Sequence, residues 1–118
     1  FFNDIKLPYS ACDLIISRAG AAAINEISFI KKPMILIPLP TSAGNHQFHN
    51  ANSFVKNKAA VMIKESDLKT DILQNKILEL FNNPKELKNM AINANNLIVK
   101  DATNRIISEI KTLDNYTC

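Results

Sequence analysis

This sequence predicts an α/β fold, a parallel sheet covered by helices that gives way to a helical tail. Three observations predict it. Leu14-Ile15-Ile16 and Met34-Ile35-Leu36-Ile37 are unbroken by polar residues, as strands buried on both faces must be. Between them Ile24, Ile27 and Ile30 recur at helical spacing. Beyond Ile63 the apolar positions keep a helical period to the end of the chain.

Taken in order, Asp13 to Ser17 is the first buried strand, and the turn Ser17-Arg18-Ala19-Gly20 leads into a helix from about Ala22 to Lys31. Pro33 ends that helix. Met34 to Pro38 is the second strand, and a loop from Leu39 to Gly44 enters a polar helix from about Asn45 to Lys58. Ala60 to Ile63 is the third strand. Thr70 is placed to cap a helix with Leu73, Ile77, Leu80 and Phe81 on one face. Asn83-Pro84-Lys85-Glu86 is a helix start: a capping Asn, Pro at the first helical position, and Glu three residues after the cap. Asp101 is placed to cap a last helix with Ile106, Ile107 and Ile110 inward. Three strands make half a doubly wound domain, so residues 1–118 are expected to be one partial domain.

Composition narrows the class. With 47% hydrophobic and 21% charged residues the chain is neither disordered nor membrane-spanning. The net charge of +3 comes largely from Lys, scattered along the chain, and no nucleic-acid module is visible, so no nucleic acid is expected as partner. Cys12 and Cys118 form no disulfide framework, and no Cys/His cluster has metal spacing. No basic stretch followed by an apolar core opens the chain, and Phe1-Phe2-Asn3-Asp4 reads as mid-protein sequence, so a fragment is expected.

The chemistry concentrates in two loops at the carboxyl ends of strands, where open parallel sheets bind ligands. The first is Ser17-Arg18-Ala19-Gly20-Ala21-Ala22. A helix starting there turns unpaired N–H groups outward, which suits phosphate, and Gly20 permits close approach because no Cβ intervenes. Glu26, in the second turn, offers a carboxylate suited to a ribose diol. A plain strand-to-helix turn and a solvated glutamate would leave the same residues. The chain has only two glycines, Gly20 and Gly44, and both fall in these loops. Lys31 and Lys58 occupy helix ends where Gly is usual, and a left-handed lysine there costs about 1 kcal/mol.

The second loop is Pro40-Thr41-Ser42-Ala43-Gly44-Asn45-His46-Gln47, continuing to Asn50 and Ala51. Asn45, His46 and Gln47 at the helix start both donate and accept hydrogen bonds, as sugar hydroxyls require. Asn50 is placed to brace the loop. His46 has no acidic partner or nucleophile near it in sequence, so it is not expected to be a general base. His46 and His49 lack a third ligand, and no metal site is expected. His49 is expected to be merely exposed.

These segments together resemble the C-terminal domain of the MurG family of N-acetylglucosaminyltransferases. The resemblance runs through Asp13 to Ala21, Glu26, Lys32 to Pro40, Asn45-His46-Gln47, Asn50-Ala51, and a tail at Asp67-Leu68, Leu87 to Ala91 and Asp101 to Ile106. It implies the parallel-sheet, Rossmann-like C-terminal portion of a GT-B glycosyltransferase, with no cofactor. It implies transfer, with inversion, of N-acetylglucosamine from UDP-N-acetylglucosamine to lipid-linked muramoyl-pentapeptide in peptidoglycan synthesis. The place implied is the cytoplasmic face of the inner membrane, peripherally bound. Carried over to this chain, Glu26 would hold the ribose, and the backbone at Ala22 and Ala23 would face the diphosphate. His46 and Gln47 would read the sugar, Asn50 would support them, and Arg18 and Gly20 belong to the same donor loop.

The acceptor site and candidate base would lie in an N-terminal domain outside these residues, so no catalytic residue is expected here, nor activity from this chain alone. Ala23 stands where the family often carries a hydroxyl, which leaves only backbone N–H groups for phosphate. A non-catalytic nucleotide-sugar-binding subunit needing a membrane partner, and an inactive gene fragment, are the alternatives. Gly20, Glu26 and Gln47 kept together argue against the inactive fragment.

Overall fold

The structure, a computed structural model, describes the backbone of residues 14–116 and the side chains of residues 14–102. Strand β1 (Ile15–Ser17) leads into helix α1 (Ala21–Phe29), and β2 (Met34–Leu36) follows. A 3₁₀ turn at Ala43–Asn45 enters α2 (His46–Lys56), which returns to β3 (Val61–Met62). A second 3₁₀ turn, Glu65–Asp67, precedes α3 (Thr70–Phe81) and the long α4 (Pro84–Tyr116). The three strands are parallel in the order β1-β2-β3, with Ile16 opposite Ile35 and Leu36 opposite Met62. Parallel neighbours joined through helices put every strand's carboxyl end, and both glycine loops, on one edge.

The central strand explains the apolar run. All three residues of β2 are buried, and they alternate between two cores. Met34 and Leu36 join Ile15, Ile24, Ile27 and Ala51 on one face, while Ile35 joins Ile63, Leu80 and Met90 on the other. Strand pairing outlasts the assigned ends: Ile37 N–H donates to Ser17 O at 2.8 Å and Ile63 N–H to Leu36 O at 3.0 Å. Pro38 has no N–H to continue it, so the strand stops short of the expected boundary.

Three expectations are corrected. Lys69, not Thr70, is the cap of α3; Thr70 is already helical, and no side chain caps that end. Phe81 is 46% exposed rather than buried with Leu80. Asp101 starts no helix, because α4 runs unbroken through it. No Pro or Gly lies between Lys85 and Tyr116, and one Asp does not stop a helix without a breaker. Ile106, Ile107 and Ile110 lie outside the described side chains, as Asp13 and both cysteines lie outside the described residues.

The start of α4 follows the sequence. Asn83 Oδ1 accepts from Glu86 N–H at 3.3 Å, and Asn83 Nδ2 donates to Glu86 Oε2 at 3.1 Å. Lys31 and Lys58 adopt φ of 57° and 56°, the left-handed geometry expected where α1 and α2 end. Helix α4 holds both of those ends. Asn95 Nδ2 donates to Ser28 O at 3.2 Å and Asn93 Nδ2 to Lys58 O at 3.1 Å. The ends of α1 and α2 lie at the amino ends of the strands they feed, so α4 braces the edge opposite the glycine loops.

Candidate donor-binding site

The site is built on the end of β1. Gly20 caps α1 with φ −67° and ψ 145° and offers no side chain to the helix. The first helical bond is Ile24 N–H to Gly20 O at 3.0 Å. The N–H groups of Ala21, Ala22 and Ala23 therefore have no partner inside the helix and point beyond its end. No side chain caps this helix end, and the Ser17 hydroxyl donates to Arg18 O at 2.8 Å. Unclaimed N–H groups on a positive helix end, next to a residue without Cβ, suit a phosphate.

Gln47 joins the two loops. Its Oε1 accepts from Ala19 N–H at 3.2 Å and from Leu39 N–H at 2.9 Å. One side-chain oxygen thus pins the loop after β1 to the loop after β2. A Cβ built on Gly20 would stand 3.9 Å from Gln47 Nε2, so the amide's donor end faces the start of α1. Asn50, one turn further along α2, donates from Nδ2 to Ala19 O at 3.1 Å. Asn50 is expected to brace the second loop; its bond goes to the first.

Arg18 is committed to the protein itself. Its Nη2 donates to Glu65 Oε1 at 2.6 Å, and Nη1 reaches Ile37 O at 3.4 Å. The guanidinium therefore links the exits of all three strands. Both partners are nearly half exposed (46% and 41%), so the pair aligns loops more than it stabilises the fold. Glu65, 47 residues away, carried no sequence signal.

Glu26 sits half-buried in the second turn of α1. Among the described residues its carboxylate makes no hydrogen bond, so the structure brings it onto the same helix without tying it to the other site residues. His46 is exposed, and its ring folds back toward Gly44, where an added Cβ would stand 3.2 Å from Nε2. His49 is exposed and meets Phe48 edge-on, with ring centroids 5.8 Å apart. Among the described residues no group of three or more His, Cys, Asp or Glu is placed to hold a metal ion. Ser42, whose hydroxyl accepts from Gln47 N–H at 3.3 Å, was missed. A serine just upstream of a helix was the available signal.

Gly44 and Asn45 both have φ of 58°, two left-handed residues in succession. That reversal turns the chain from β2 into α2 and sets His46 and Gln47 at the helix start.

Known proteins resemble this chain in sequence and fold. A family profile for the glycosyltransferase family 28 C-terminal domain matches residues 1–106. A UDP-N-acetylglucosamine–N-acetylmuramyl-(pentapeptide) pyrophosphoryl-undecaprenol N-acetylglucosamine transferase from Rickettsia felis is 43% identical over 93 residues, covering 79% of this chain and 26% of that protein. The enzyme of the same name from Phocaeicola vulgatus is 41% identical over 117 residues, covering 98% of this chain and 31% of its own length. The crystal structure of Acinetobacter baumannii MurG superposes with a TM-score of 0.71 at 31% identity, covering 81% of this chain and 27% of that one. The chain thus spans roughly a quarter to a third of the relatives it matches. A profile match over nearly the whole chain, and a parallel sheet that superposes on a solved relative, place it in glycosyltransferase family 28: it belongs to the C-terminal domain of that family, in a form similar to that of MurG.

Proposed function

We propose that this chain is the donor-binding portion of an inverting hexosyltransferase. It would hold UDP-N-acetylglucosamine while the sugar is passed to lipid-linked muramoyl-pentapeptide at the cytoplasmic face of the inner membrane. The observation that carries the reading is the Gln47 clamp. It sets a helix end with unclaimed N–H groups beside an amide donor on one sheet edge. The diphosphate lies on the N–H groups of Ala21, Ala22 and Ala23, with Gly20 admitting it closely. Glu26 accepts the ribose hydroxyls, and Gln47 Nε2 and His46 meet the sugar. Asn50 and Arg18 act one step back, holding the loops. The acceptor and the base that deprotonates its hydroxyl come from an N-terminal domain beyond these residues. The curated relatives are about three times this chain's length and are named as transferases to such an acceptor.

The test is calorimetric titration of UDP and UDP-N-acetylglucosamine into the protein that carries this chain. Glu26→Ala removes a charged acceptor, and affinity for both ligands falls at least about tenfold. Gln47→Glu keeps an oxygen for Ala19 and Leu39 N–H but removes the Nε2 donor. It weakens UDP-N-acetylglucosamine more than UDP, and the ratio between ligands cancels any repulsion from the diphosphate. Gln47→Ala also frees both loops and weakens both ligands, while His49→Ala changes neither. Equal losses of the two ligands in Gln47→Glu would remove Gln47 from the sugar and leave it as a clamp alone.

A further inference from the structure

A second cleft opens on the same sheet edge, beyond the Arg18–Glu65 pair. It encloses about 340 Å³ between Pro38, Pro40, Asn45, Phe48, Lys64, Glu65 and Ser66. Its walls are apolar where the two prolines and the Phe48 ring meet. Lys64 Nζ stands 5.4 Å from the centroid of that ring, which holds the ammonium over the cleft by its quadrupole. Glu65, the one acidic group in the lining, is already bonded to Arg18 at 2.6 Å. The charge left to the cleft is a single ammonium, in a lining that also includes Asn45 and Ser66. Asn45 has a left-handed backbone there.

We propose that this cleft binds a carboxylate carried on a small apolar body, such as the end of a peptide. The Lys64 ammonium pairs with the carboxylate, and Pro38, Pro40 and Phe48 pack against the aliphatic part. One flexible ammonium suits a singly charged group. A diphosphate calls for a bidentate guanidinium or a row of N–H groups, which this edge presents at Ala21 to Ala23 instead. The proposal rests on the donor-binding reading only for the ligand's source, a peptide on the acceptor brought to the same edge.

NMR titration of the 118-residue chain with N-acetyl-alanyl-alanine, its C-terminal amide and inorganic pyrophosphate tests this. The free acid should move the Phe48 ring and the Asn45 and Ser66 amide signals saturably. The amide should bind at least about tenfold more weakly, and Lys64→Met should lose about as much for the acid. Unchanged Ile35 and Ala19 amides would confirm that the variant is folded. Equal binding of acid and amide, an unaffected Lys64→Met, no response of the cleft signals, or pyrophosphate moving them at equal or lower concentration would each overturn the assignment. UDP-N-acetylglucosamine, added to the same sample, reports separately at Gly20 and Ala22. A response there with a silent cleft sinks this proposal alone, and the converse sinks the donor reading alone.

Discussion

The two glycines do different work. Gly44 has φ of +58°, and a Cβ there would meet the His46 ring at 3.2 Å. Gly20 has an ordinary extended backbone, and a Cβ there would touch only Gln47 Nε2 at 3.9 Å. Gly44→Ala should therefore cost about 1–2 kcal/mol in denaturant unfolding, from the left-handed backbone alone. Gly20→Ala should keep stability within about 1 kcal/mol of the parent, since only the cap changes. Yet it should weaken UDP binding, because its methyl enters the space a phosphate would use. A Gly20→Ala protein that binds UDP as tightly as its parent would show that close approach is not why glycine stands there. Lys31 and Lys58 show the converse economy: both accept left-handed backbones without glycine, at positions where the sequence already marked the end of a helix.

Helix starts separate what a sequence can specify locally from what it cannot. Asn83 precedes Pro84 and reaches Glu86 with both ends of its amide, so every partner lies within three residues. Thr70 had the right residue type, but the helix begins one residue earlier and leaves its hydroxyl without a capping bond. Asn83→Ala should lower stability by about 1 kcal/mol, whereas Thr70→Ala should change it by less than half of that. Chemical denaturation of both variants measures the difference, and equal losses would mean that Thr70 caps in solution after all. Asp101 illustrates the same limit. A capping residue starts a helix only where the preceding one has ended, and nothing in α4 ends it.

At the scale of the molecule, β1 and β3 are the outer strands of a three-stranded sheet, each with one partner among the described residues. Their outer edges carry ladder groups that another strand can pair. Opposite the glycine loops, α4 ties the ends of α1 and α2 through Asn95 and Asn93, so the sheet is braced at its amino edge. The 118-residue chain should consequently associate through its edges, and its melting temperature should rise with protein concentration. Calorimetric scans across a wide concentration range, with sedimentation to follow mass, would detect this. A sharp melt of a monomer, independent of concentration, would show that the edges are covered.

What the sequence determined by itself was whatever depends on neighbours along the chain. Buried strands showed as unbroken apolar runs, α1 as isoleucines at helical spacing, the start of α4 as Asn-Pro-x-Glu, and the two loops as the places of the only glycines. Tertiary structure decided what needs residues far apart. Gln47 was legible as a polar residue at a helix start, but its clamp on Ala19 and Leu39 exists only because parallel pairing brings two strand exits together. Arg18 was legible as part of a ligand loop, and only folding gave it Glu65, 47 residues on. Asn93 and Asn95 were unremarked polar residues until α4 laid them across two helix ends. The physical reason is one of range. Propensity, capping and burial patterns act over a few residues, whereas a hydrogen bond between loops has no counterpart in the sequence until the sheet sets the distance.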